Sequence, residues 1–79
     1  MKARVIVTLK SAVLDPQGKA IEGALRSLGI DGVGSVRQGK VFDIELGPVA
    51  PDVAKKTLSD ACERLLANTV IENFSIEMV

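Results

Sequence analysis

Apolar and polar residues alternate from the start of the chain. Ala3, Val5, Val7 and Leu9 fall on one face, and Arg4, Ile6, Thr8 and Lys10 on the other. With β-branched residues dominant, this period of two predicts a strand with one buried face. Lys40 to Leu46 repeats the pattern, setting Phe42, Ile44 and Leu46 against Val41, Asp43 and Glu45. Glu72 to Met78 does so again, with Phe74, Ile76 and Met78 on one side. Val33 to Gln38 is predicted as a weaker strand at a sheet edge, because it contains Gly34. Gly39, between it and the next strand, is expected to supply the positive φ of a tight hairpin.

Between these stretches the period lengthens to that of a helix. Asp15 can cap free backbone N–H groups and Pro16 suits the first helical position. Ala20, Ile21, Ala24, Leu25 and Leu28 then form an apolar stripe, with Lys19, Glu22, Gly23 and Arg26 outside it. Gly29 sits where a left-handed C-cap belongs. After the loop marked by Gly47-Pro48 and Pro51, a second helix carries the pairs Val53/Ala54, Thr57/Leu58, Ala61/Cys62 and Leu65/Leu66. Asn68 is expected to end it in a left-handed conformation.

The element order is therefore β-α-β-β-α-β. It predicts an α+β fold of the ferredoxin-like kind, a four-stranded antiparallel sheet with both helices on one face. At 79 residues the chain has room for one domain, spanning 1–79, and for one core. The other sheet face would carry Arg4, Ile6, Thr8, Lys10, Arg37, Val41, Asp43, Glu45, Asn73, Ser75 and Glu77. It reads either as an ordinary solvated surface or, with two open edges, as a site of subunit association.

Composition narrows the chemistry. Ten basic residues balance ten acidic ones, which argues against a nucleic-acid or membrane-surface partner. There is no histidine, the commonest general base and metal ligand. The single cysteine, Cys62, falls on the apolar stripe of the second helix and reads as core. No catalytic residues and no metal site are expected. The opening residues lack the pattern of a secretory signal and no apolar run is long enough to span a membrane, so a cytoplasmic protein is expected. The sequon Asn73-Phe74-Ser75 would then go unmodified.

Two local strings invite a second reading. Asp15-Pro16-Gln17-Gly18 is either a helix cap alone or a docking loop, where Gly18 lets another backbone approach. Arg37-Gln38-Gly39-Lys40 sets two cations about a turn, either simply solvated or facing acidic groups of a partner.

Taken together these strings resemble one family. Lys10, Val13-Leu14-Asp15-Pro16-Gln17-Gly18, Leu28-Gly29, Val36-Arg37 with Gly39-Lys40, and Leu65-Leu66-Ala67-Asn68-Thr69-Val70-Ile71-Glu72 are similar to the small subunit of phosphoribosylformylglycinamidine synthase. The resemblance implies a non-catalytic subunit of a purine-pathway complex that makes formylglycinamidine ribonucleotide from formylglycinamide ribonucleotide, glutamine and ATP. It implies self-association to a dimer or tetramer, bridging of a glutaminase and a larger synthetase subunit, and assistance to ammonia transfer. ATP and magnesium would bind on the synthetase and no cofactor on this chain. Asp15, Pro16, Gln17 and Gly18 would form one partner contact and Arg37, Gly39 and Lys40 a second, with Asn68 shaping a turn. Two other readings share the element order. One is a stand-alone ACT-like regulatory module, with Gly29 to Gly34 as its effector loop. The other is an RNA-binding sheet, disfavoured because Phe42 and Phe74 have inward phase.

Overall fold

The computed structural model describes residues 1–78. Its elements are β1 (Lys2–Leu9), α1 (Pro16–Ser27), β2 (Gly39–Glu45), α2 (Pro51–Ala61) and β3 (Glu72–Met78). The fold is α+β. The strands form one antiparallel sheet in the order β2-β1-β3. In the register Val5 lies between Phe42 and Ile76, and Arg4 between Asp43 and Glu77. The predicted alternation therefore holds on all three strands, with Ala3, Val5 and Val7 buried along the central one.

The expected fourth strand is absent among the described residues, and the sheet has three strands. Residues 33–38 follow α1 instead of pairing with β2. The reason is that two of their backbone donors, on alternate residues, are taken elsewhere: Val36 N–H goes to Glu22 and Gln38 N–H to Asp15. A strand whose donors are satisfied elsewhere gains little from an edge ladder. Gly39 accordingly makes no left-handed turn, since among the described residues positive φ occurs only at Gly29 and Gly32. It opens β2, and glycine fits there because a Cβ would lie 2.6 Å from the Val7 carbonyl oxygen.

α2 covers the inner face of the sheet. Ala54, Leu58 and Cys62 recur at every fourth position and are buried. Of each predicted apolar pair it is the second member that goes inward, while Val53 and Leu65 stay exposed. The helix then widens into a single π turn, Cys62–Leu66, closed by Ala67 N–H on the Cys62 carbonyl at 2.9 Å. The extra residue per turn carries Ala67 into the core beside Cys62. Val5, Val7, Cys62 and Ala67 form that core, with Phe42, Ile44, Leu66, Phe74 and Ile76 packed around it. Asn68 does not take the expected left-handed conformation. Its side-chain oxygen accepts Val70 N–H at 3.2 Å, and its carbonyl accepts Ile71 and Glu72 N–H, which turns the chain into β3.

α1 departs most from expectation. It starts as predicted, with Pro16 first and Asp15 as cap. It ends in a Schellman arrangement, with Gly29 at φ 78° and Ile30 N–H reaching back to the Leu25 carbonyl. Its apolar stripe does not pack on the sheet: Ile21, Ala24 and Leu28 are exposed, and the buried positions are Gly18 and Glu22. Glu22, expected on the outer face, is 4% exposed. The molecule is consequently long and thin, 48 × 25 × 15 Å. Its radius of gyration is 15.9 Å, against about 12 Å for a compact chain of this length.

Candidate functional site

Asp15 ends the connection from β1, and its carboxylate faces two chain segments. Oδ1 accepts Gly18 N–H at 2.8 Å, capping α1, and Oδ2 accepts Gln38 N–H at 2.7 Å. These two backbone donors, Gln38 first and Gly18 second, hold the Asp15 carboxyl below its ordinary range, and the Arg37 charge adds to the effect. Gly18 is buried because the Val36 carbonyl oxygen lies against it, where any Cβ would collide. The close backbone neighbour allowed by Gly18 is thus the chain's own. Pro16 and Gln17 occupy the first turn and are exposed.

Arg37 projects from the segment that returns from α1, and its Nη2 donates to the Lys10 carbonyl at 2.9 Å. Lys10 N–H in turn donates to the Ile71 carbonyl at 2.8 Å, joining this corner to the turn before β3. Across the sheet end, Lys40 Nζ lies 3.6 Å from Glu72 Oε2, while Glu72 Oε1 accepts Asn68 N–H at 2.7 Å. The structure therefore brings all the sequence-predicted contact residues to one end of the sheet. Asp15, Pro16, Gln17 and Gly18 stand beside Arg37, with Gly39 and Lys40 next along the chain and Asn68 joined to Lys40 through Glu72. A shallow cleft of about 290 Å³ opens among them, floored by Val7 and Leu9 and rimmed by Asp15, Gln17, Gln38, Lys40 and Glu72.

Sequence reasoning missed Glu22, although a signal was present. Asp15, Gly18 and Glu22 recur at the spacing of one helix face, and that face meets residues 36–38. Glu22 Oε2 accepts Val36 N–H at 3.1 Å. Its other oxygen lies 3.5 Å from Arg26 Nη2 and 3.7 Å from Lys19 Nζ.

The carboxylates at this end of the sheet are engaged by backbone donors and cations, and Lys40 is held in an ion pair. Cys62 is buried in the core and does not line the cleft, and burial pushes its thiol pKa up. Among the described residues no cluster of three metal-ligating side chains occurs, and no helix is long and apolar enough to cross a membrane.

The family model of PurS, phosphoribosylformylglycinamidine (FGAM) synthase, matches residues 2–79. The chain belongs to the PurS family. Its function is that family's, as a subunit of FGAM synthase in purine biosynthesis. The chain is 51% identical to the PurS subunit of FGAM synthase from Synechocystis, a match covering 95% of this chain and 75% of that protein. It is 48% identical to the corresponding subunit of Mycobacterium leprae, over 95% of this chain and 91% of that one. Among solved structures, Bacillus subtilis PurS superposes with a TM-score of 0.85 at 42% identity, covering 96% of this chain and 94% of that chain. A chain in the structure of PurLQS from Thermotoga maritima does so with a TM-score of 0.90 at 32% identity, covering 99% and 95%.

Proposed function

We propose that this chain carries no chemistry of its own and serves FGAM synthase by joining its other subunits. The observation that carries this reading is the convergence at one sheet end. Residues 15–18, 37–40 and 68 come from separate parts of the sequence and meet there, with the Asp15 carboxylate, the Arg37 guanidinium and the Lys40 ammonium engaged in hydrogen bonds and an ion pair. Such a surface is rigid and polar, suited to recognising a protein face. On this reading Asp15, Pro16, Gln17 and Gly18 form one contact and Arg37, Gly39 and Lys40 a second, with Asn68 setting the turn beside them. Pro16, Gln17 and Lys40 offer the exposed groups. Asp15 and Gly18 act by shaping the loop.

The partners are a glutaminase subunit, which releases ammonia, and a larger synthetase subunit, which binds ATP and magnesium and activates formylglycinamide ribonucleotide. The chain assists the passage of ammonia between them. The Thermotoga maritima structure is one of PurLQS, which supports a place for this chain in a complex with other subunits of the enzyme. The exposed stripe of α1 and the open edges of β2 and β3 supply surfaces for further copies of the chain, giving a dimer or tetramer. The fold reads as a ferredoxin-like pattern in one domain, with its second strand replaced by the segment bound to α1. The cytoplasm is the compartment that fits.

Reconstitution from the three purified subunits tests the reading. The chain alone is expected to hydrolyse no glutamine and ligate nothing. Leaving it out of the mixture is expected to abolish glutamine-dependent product formation while ammonia-dependent formation by the synthetase persists. Glutamine-dependent turnover that continues undiminished without the chain overturns the proposal.

A further inference from the structure

α1 is bound to the segment that follows it through a polar face. Asp15, Gly18 and Glu22 share that face, and each meets residues 36–38. Asp15 Oδ2 takes Gln38 N–H at 2.7 Å, and Glu22 Oε2 takes Val36 N–H at 3.1 Å. Between them Gly18 gives way to the Val36 carbonyl oxygen. Both carboxylates are 4% exposed. Arg26 and Lys19 stand beside Glu22 at 3.5 and 3.7 Å and offset its charge. Meanwhile α1 makes no extended packing contact with any strand or with α2.

We propose that residues 15–38 form a self-contained arm, closed by a clasp of the Asp15 and Glu22 carboxylates on the Val36 and Gln38 amides. The clasp replaces the apolar packing that normally fixes a helix to its domain. Its two bonds grip one short stretch of backbone, so losing either frees that stretch to leave the other. The Gly18 contact lies between them and admits the fit only because no side chain is present. Where the arm meets the sheet, Arg37 on the Lys10 carbonyl and the step from Gln38 into β2 fix its direction. An arm shaped in advance loses less freedom when it docks than a loose one does. The clasp is a property of the chain itself and stands apart from the subunit reading above.

Amide hydrogen exchange of the full chain, resolved by residue with NMR, tests it. In the unaltered protein the Val36 and Gln38 amides are expected to exchange on the order of a hundredfold more slowly than in an unstructured peptide. Glu22→Ala is expected to speed both by about tenfold or more, Gln38 included although Asp15 is untouched, with Val5 and Val7 in β1 unchanged. Gly18→Val is expected to do the same with both carboxylates in place. The clasp is overturned if the two amides are unprotected at the outset, or if Glu22→Ala leaves Gln38 slow. It is equally overturned if either substitution also releases Val5 and Val7, because the arm would then not be separable from the sheet.

Discussion

Asp15 accepts two backbone donors from different parts of the chain, so its charge is tied to folding. Gln38 N–H and Gly18 N–H favour the ionised form and lower the folded pKa. A carboxyl depressed in this way stabilises the fold fully above its unfolded value of about 3.9. That contribution is lost as pH falls through the lower folded value. Asp15→Asn is expected to unfold at lower urea than the unaltered chain at pH 7. The gap between the two midpoints is expected to stay level down to about pH 5 and to narrow below about pH 4. Midpoints measured from pH 7 to pH 3 decide it, and a gap that does not narrow in acid would remove charge from the explanation. Arg4 and Asp43 also pair, with Nε to Oδ1 at 2.8 Å across β1 and β2. Both are solvent-exposed, and such a pair contributes little.

At the scale of elements, the sheet and α2 were legible in the sequence because their cause is periodicity. A period of two on three strands and a run of fourth positions in α2 each bury one face, whatever else the chain does. Leu58 sits in the middle of that run and is 3% exposed. Leu58→Ala is expected to cost about 2–5 kcal/mol, by the usual cost of truncating a core side chain, read as a drop in the urea or thermal midpoint. An unmoved midpoint would mean that α2 does not pack through this position. The caps of α1 were legible too, because Asp15-Pro16 and Leu28-Gly29 act on their immediate neighbours. Residues 33–38 were not. Val33 and Val36 favour a strand, but two carboxylates from α1 claim the donors that a strand would use, and no local pattern announces a partner so far back in the chain. Glu22 was misplaced because a carboxylate amid basic neighbours reads as solvated until the amide it receives is seen. The expected contact residues were named from the motif strings alone. Their convergence at one end was not legible, because it depends on links through Lys10 and Glu72.

The whole molecule leaves a good deal of apolar surface uncovered. Ile21, Leu28 and Ile30 on or beside α1, and Val53 and Leu65 on the α2 side, are all exposed. A chain with this much uncovered apolar surface is suited to association. Leu28 is 75% exposed, so Leu28→Asp is expected to cost one copy no more than about 1 kcal/mol, the effect of a carboxylate at the C-cap of α1. On the proposed self-association, the same substitution is expected to shift the protein toward smaller species in sedimentation equilibrium, and an unchanged mass would take α1 out of that proposed contact. The elongated outline, 48 Å in its longest dimension, also governs how any such experiment must be run. A lone copy diffuses as a rod and leaves a gel-filtration column ahead of spherical standards of equal weight, so elution volume alone would mistake a monomer for a larger particle. Light scattering or sedimentation, which weigh particles without assuming their outline, are the methods by which copies of this chain can be counted.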